Sequence, residues 1–191
     1  SDKCGVFKIH QDGKFISSFR MYGGSITSND ESALCLKDIN DSSCKNKFFN
    51  FSFKAPKFGF NMVDNVKGCM VVANGDIDAD NGAVCTEMNV SISNSSGHRN
   101  RFKSKYLGIR LAGINNHNKP IFGFNGIDIT LDKGSSTLGS SNTLSDSDSC
   151  DGDSSANGYA IYIDDVKRDD NNQDFNYTIN DININSDDKG I

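Results

Sequence analysis

Apolar and polar residues alternate along most of this chain, and a period of two is typical of β-strands. The clearest example is the run in which Phe49, Phe51 and Phe53 alternate with Asn50 and Ser52. Six further segments show the same alternation, at residues 58–62, 88–92, 107–111, 127–131, 159–163 and 175–179. The pattern therefore predicts short strands along the whole chain.

Two places depart from this alternation. The phase changes between Ile179 and Ile182, and one extra residue near Asp181 would cause that change, so we expect a β-bulge or a tight turn there. Residues 28–39 carry the best helical pattern, because Ser28 is placed to cap a short amphipathic helix. The apolar part of that segment is equally typical of a buried strand.

Many short strands separated by Gly, Asn and Asp predict an all-β fold. We expect an antiparallel β-sandwich or jelly-roll with long polar loops and little helix. Residues 134–158 are rich in Ser and Asp, and the part of the chain that follows them is too short for an independent core. The sequence thus predicts a single extracellular domain over residues 1–191, with a long loop at 134–158.

Composition narrows the classes of function. Only 36% of the 191 residues are hydrophobic, and the formal net charge is −5. The negative charge argues against general nucleic-acid binding. No apolar run approaches the roughly 18 residues that a membrane-spanning helix needs, so we expect no membrane span.

Cysteine usage points to an oxidising compartment. The six cysteines form no C-x-x-C pair, and their even number in a polar chain favours disulfides over a zinc site. The spacing does not select a connectivity. Five N-glycosylation sequons are compatible with a secreted glycoprotein. The disulfide candidates are Cys4, Cys35, Cys44, Cys69, Cys85 and Cys150, and the glycosylation candidates are Asn40, Asn50, Asn89, Asn94 and Asn176.

The segment from Asp76 to Glu87 has the spacing of a calcium loop. Asp76, Asp78, Asp80 and Glu87 occupy positions 1, 3, 5 and 12, from which carboxylates can wrap one calcium ion. The flanking residues are typical of strands, so we predict a structural calcium site and not a switch.

A plain turn is the alternative for this segment. Asn74-Gly75 and Asn81-Gly82 are typical of hairpin turns. Cys69 and Cys85 lie at similar distances from such a tip, so they are candidates for a bridge across the hairpin.

A second acidic cluster lies in the low-complexity segment and is either a further cation site or a solvated loop. Its members are Asp146, Asp148, Asp151 and Asp153.

A basic row occupies every second position from residue 99 to 105, which places all four side chains on one face of a strand. Such a row favours contact with acidic glycans, anionic lipid or an acidic patch on another copy. An edge strand that uses charge to prevent aggregation is the alternative. The row consists of Arg99, Arg101, Lys103 and Lys105.

Three segments resemble minor type IV pilins and related pseudopilins: residues 15–20, residues 33–44 with their Leu-Cys pair, and residues 158–164. The resemblance implies an α+β pilin-like globular domain, in which a helix leads into a strand. It also implies calcium held in an acidic loop. No functional residue of that family is carried over.

Motifs for catalysis are absent: the chain has no nucleophile elbow, no zinc-binding H-E-x-x-H and no phosphate or dinucleotide loop. We therefore expect a non-enzymatic secreted or surface protein that acts in adhesion or as a structural subunit of an extracellular assembly. Its partners would be other copies of itself or surface proteins. The alternatives are a glycan-binding, lectin-like module for anionic or neutral glycans and the soluble domain of a pilin-like protein.

Overall fold

The computed structural model describes residues 5–9, 18–63, 66–95, 97–112, 121–132, 158–164 and 176–186. These residues contain strands and no helix. Sheet A contains β1 (Gly5–Ile9), β3 (Ser32–Leu36), β5 (Phe58–Met62), β7 (Gly82–Thr86), β10 (Leu107–Ala112) and β12 (Ile161–Asp164). Sheet B contains β2 (Arg20–Thr27), β4 (Ile39–Ala55), β6 (Val66–Ala79), β8 (Asn89–Ser93), β9 (Asn100–Ser104), β11 (Ile121–Leu131) and β13 (Asn176–Ser186).

All pairings between these strands are parallel. The chain passes back and forth between the two sheets, so it winds as a parallel β-helix whose coils stack on one another. Phe58 pairs with Gly82 of the next coil, and Arg20 pairs with Lys47. One coil therefore takes roughly 25 residues, a period within the range of stacked repeat folds.

The last coil contains an insertion relative to the others. Ile109 pairs with Ile161, about twice as far along the chain as in the earlier coils, because residues 133–157 lie between the two strands. After this segment, β12 joins sheet A and β13 joins sheet B.

The prediction of an antiparallel β-sandwich or jelly-roll is wrong, because the sheets are parallel. Side chains alternate in the same way in parallel and antiparallel strands, so the period of two carries no information about strand direction. Of the two alternatives for residues 28–39, the helix is wrong, since Ser32–Leu36 form strand β3. Ser28 accepts a hydrogen bond from the backbone N–H of Glu31 at 2.9 Å, but the chain continues as a strand.

A line of left-handed residues bends sheet B. Gly23, Asn50, Asn74, Gly126 and Asp181 have φ of 86°, 55°, 55°, 68° and 52°. They occupy equivalent positions of their coils, since the residues on either side of them are paired in register. Gly and Asn adopt this conformation at low cost, which explains their recurrence here. The expected irregularity near Asp181 is part of this bend.

Inward side chains form columns that run through the coils. In one column, Phe53, Ile77, Phe102 and Ile129 stack in register, and each is at most 2% exposed. Phe60 packs against this core from sheet A, with its ring 4.8 Å from that of Phe48 and 5.0 Å from that of Phe53. The alternation predicted from the sequence thus becomes one continuous apolar core.

A disulfide joins adjacent coils. Cys44 of β4 and Cys69 of β6 are bonded, with their Cα atoms 4.7 Å apart. The predicted Cys69–Cys85 bridge is therefore wrong. It assumed a hairpin, whereas β6 and β7 belong to different sheets. Cys35 and Cys85 each take part in a further disulfide bond, and no described cysteine is free. These bonds are compatible with an oxidising compartment.

The two sheets differ in exposure. Every residue of β3 and of β7 is buried, so sheet A is covered on both faces at these strands. In sheet B, the burial pattern of β9 alternates strictly between buried and exposed. The outward side of sheet B is therefore the polar surface on which a site can form.

Candidate functional site

A cleft of about 560 Å³ lies on the outer face of sheet B, after the bend. It crosses four strands: β4, β6, β9 and β11. Its outward side chains are Ser52, Lys54, Asp76, Asp78, Arg101, Lys103, Asp128 and Thr130.

Strand register arranges these side chains in two rows along the axis of the β-helix. The first row consists of Ser52, Asp76, Arg101 and Asp128, and the second consists of Lys54, Asp78, Lys103 and Thr130. The apolar residues between them point into the core, because side chains alternate between the two faces of a strand. Each row places one polar group on each coil, with coils about 4.8 Å apart.

Four charged residues that line the cleft are not neutralised by one another. Lys54, Asp76, Asp78 and Arg101 form no ion pair within the described part of the chain. Asp78 and Arg101 are exposed to solvent, and so is Lys54. Opposite charges at neighbouring positions, held without direct pairing, are available to a ligand.

Asp76 has a carboxylate oxygen that is buried beneath the cleft surface. Its Oδ1 atom is buried and accepts no hydrogen bond from any residue that the structure describes. A buried oxygen without a donor is costly, so this carboxylate is held in the cleft at some cost in stability.

The borders of the cleft are held by ion pairs. Lys103 Nζ lies 3.3 Å from Asp132 Oδ2, and Arg99 Nε lies 2.7 Å from Asp128 Oδ1. Arg99 also contacts Asp181 Oδ2 at 2.5 Å and donates to the Asp181 carbonyl at 2.8 Å. Hydrogen bonds to Asp181 and then to Asp128 raise the pKa of Arg99 above its ordinary value. Arg99 therefore links β13, in the last coil, to β11.

Loss of this clamp should loosen the last coil. We expect Arg99→Ala to speed backbone hydrogen exchange in β13, because β13 and β11 lose the cation that they share. Exchange measured by mass spectrometry on the 176–186 peptide checks this. Arg101→Ala is the matched control, since Arg101 has no ion-pair partner among the described residues. Equal exchange in both variants would contradict the role of Arg99.

An exposed aromatic pair lies on β2 and β4, just before the bend. The Tyr22 ring stacks on that of Phe49, with centroids 5.5 Å apart and an interplanar angle of 23°. Tyr22 is 65% exposed, so one face of its ring is open to solvent. Among the tyrosines whose side chains the structure describes, Tyr22 is the most exposed.

The predicted calcium ligands do not lie in a single loop. Asp76 and Asp78 point outward from β6, whereas Glu87 follows β7 in the other sheet and its Oε2 accepts a 3.4 Å hydrogen bond from Val66 N–H. Asp80 pairs with Lys105 at 3.1 Å. No group of three or more His, Cys, Asp or Glu in the described residues is placed to hold a metal. Calcium binding remains a prediction.

The basic row is mostly paired within the molecule. Arg99, Lys103 and Lys105 each contact an aspartate, as given above, and Arg101 alone has no partner among the described residues. The contact of this row with another molecule remains a prediction. The second acidic cluster, Asp146, Asp148, Asp151 and Asp153, lies outside the described residues, as do Cys4 and Cys150.

The glycosylation candidates differ in the solvent exposure of their asparagine side chains. Asn40 and Asn50 are exposed and Asn94 is half-buried, whereas Asn89 is 1% exposed. A sequon whose asparagine is fully buried is inaccessible in the folded protein. The side chain of Asn176 lies outside the described part of the structure.

Sequence reasoning missed half of the cleft. It singled out Asp76, Asp78 and the basic row, but not Ser52, Lys54, Asp128 or Thr130. The sequence signal for these residues was their spacing of roughly one coil length from the residues already singled out. That spacing places them at equivalent positions on neighbouring coils.

Comparisons with known proteins do not assign this chain to a family. No family model matches the chain, and searches of curated proteins and of solved structures find no significant match. Within the described residues, no helix has the length and apolar character needed to cross a membrane.

Proposed function

We propose that this chain is a secreted or surface-exposed glycan-binding protein, and that the outer cleft of sheet B is its binding site. The observation that carries the proposal is the set of four charged residues, Lys54, Asp76, Asp78 and Arg101, that share one cleft without pairing among the described residues. Binding of surface glycans would give the chain a role in adhesion.

Sugar hydroxyls suit this mixture of charges. Each hydroxyl both donates and accepts hydrogen bonds. Asp76 and Asp78 supply acceptors, whereas Lys54 and Arg101 supply donors, and hydrogen bonds to charged groups are the stronger kind.

The arrangement in rows favours a linear ligand. Stacked coils form extended surfaces on which equivalent positions recur. An oligosaccharide that lies along the axis would meet one pair of polar side chains on each coil. The open face of Tyr22 offers an apolar platform for a sugar ring on the adjoining part of sheet B.

Polyphosphate ligands are disfavoured. Three carboxylates, those of Asp76, Asp78 and Asp128, line the cleft and would repel phosphate groups. The net charge of −5 acts in the same direction.

The proposal is tested with neutral and uronic-acid oligosaccharides, first on an array and then by calorimetry. We expect Arg101→Ala and Asp76→Asn to weaken binding roughly 10-fold to 100-fold, because each removes charge-assisted hydrogen bonds to the sugar. The matched control is Arg20→Ala, an exposed arginine of β2 that does not line the cleft. Binding unaffected by the cleft variants, or no binding to any oligosaccharide, would refute the proposal.

A further inference from the structure

Within the described part of the chain, the inner columns of the core end without cover at the last coil. Ile179 and Ile184 of β13 continue the inward columns, yet they are 55% and 40% exposed. Their partners one coil earlier, Phe124 and Ile129, are each 1% exposed. In earlier coils, the equivalent positions are covered by the coil that follows. The last described coil therefore presents apolar side chains that no further described coil covers.

Within the described residues, the outer edge of β13 also carries none of the features that usually block strand pairing. No other described strand lies beyond β13 in sheet B. Edge strands that stay unpaired usually carry Lys, Pro or a bulge and are short. β13 has 11 residues, contains no Lys or Pro, and has Asp181 as its single charged residue.

The first coil of the same chain has the matching pattern. By strand register, Ile26 belongs to the column that ends at Ile184, and Met21 belongs to the column that ends at Ile179. β2 is the other end strand of sheet B among the described residues. A second copy placed with its β2 beside β13 would continue both columns without a break.

Side-chain size is complementary at the same contact. Ile182 of β13 would lie over Gly24 of the second copy, in the column that also contains Phe51 and Gly75. Within one copy, this column already places a large side chain against a glycine. The Phe51 ring occupies the space beside Gly75, where an added Cβ would lie 2.2 Å from the ring.

We infer that copies of this chain stack end to end, with β13 of one copy paired in parallel with β2 of the next. The contact joins two different surfaces, so it does not close on itself by two-fold symmetry and extends into a filament. It repeats the contact between coils, and it is independent of glycan binding in the outer cleft.

The first test measures mass against concentration for the full chain by light scattering or sedimentation. We expect the wild-type mass to rise with concentration. Ile179→Lys and Ile184→Lys should raise the dissociation constant roughly tenfold or more, because each would bury an unpaired charge in the contact. Both residues are exposed within one copy, so the fold should tolerate the changes. Asn185→Gln, an uncharged change on the outward face of the same strand, is the matched control and should assemble as wild type.

The second test fixes the orientation by cross-linking. Paired positions on adjacent strands lie about 4.8 Å apart, within the range of a disulfide. Ile184→Cys mixed with Ile26→Cys should form a covalent dimer, and neither variant should do so alone. The outward pair Asn185→Cys and Thr27→Cys repeats the test without changing core residues. A folded wild-type chain that remains monomeric at all concentrations, or cross-links formed by one variant alone, would overturn the inference.

Discussion

Replacing Phe60 with alanine is expected to lower the free energy of unfolding by about 4 kcal/mol, from the usual range for fully buried Phe→Ala changes. Phe60 is fully buried, and its ring centroid lies 4.8, 5.4 and 5.0 Å from those of Phe48, Phe51 and Phe53. It thus links sheet A to sheet B at the centre of the core. Because native proteins are stable by only about 5–15 kcal/mol, this loss is about a quarter or more of the total free energy of unfolding.

Chemical denaturation followed by circular dichroism measures this loss. Tyr22→Ala is the control, because it removes an aromatic ring from sheet B at a position that is 65% exposed. We expect a much smaller change there, since exposed substitutions typically stay within about 0.5 kcal/mol. A loss at Phe60 no larger than that at Tyr22 would contradict the packing described for the core.

Removing the Cys44–Cys69 disulfide is expected to cost about 3.5 kcal/mol, from the entropy of closing a loop with a sequence separation of 25. The bond restricts the unfolded chain and holds β4 beside β6. For a protein of this size, the loss corresponds to a fall in Tm of about 10 °C. Calorimetry of the Cys44→Ser, Cys69→Ser double variant measures it.

The Cys44→Ala, Cys69→Ala double variant distinguishes the effect of losing the bond from the effect of introducing polar Ser side chains. If the lost cross-link is the cause, the Ser and Ala variants should melt at similar temperatures, both below wild type. A Tm equal to that of wild type in either variant would show that the bond adds no stability.

Strand content was predictable because it depends on local alternation. The runs through Phe53, Ile109 and Ile129 each became strands with those side chains inward. Strand direction was not predictable in this way, because it depends on which distant segment lies alongside. The Asn-Gly pair at Asn74 illustrates the limit: it is typical of a hairpin turn, yet here a left-handed Asn74 bends a strand within a coil.

The candidate site was only partly predictable for the same reason. Asp76 and Asp78 stood out because they are close in sequence and both acidic. Lys54 and Asp128 carry no local motif, and they meet these carboxylates only because the stacking of coils brings them into register. The repeat is the sequence signal that would have found them.

The sequence by itself determined the alternation of inward and outward side chains and the cysteines suited to an oxidising compartment. These properties follow from side-chain chemistry and from the period of the strand. Only the tertiary structure decided that the strands run parallel, that Cys44 bonds Cys69, and that unpaired charges from separate coils share one cleft. Each of these depends on contacts between residues far apart in the chain, which the stacking of coils alone determines.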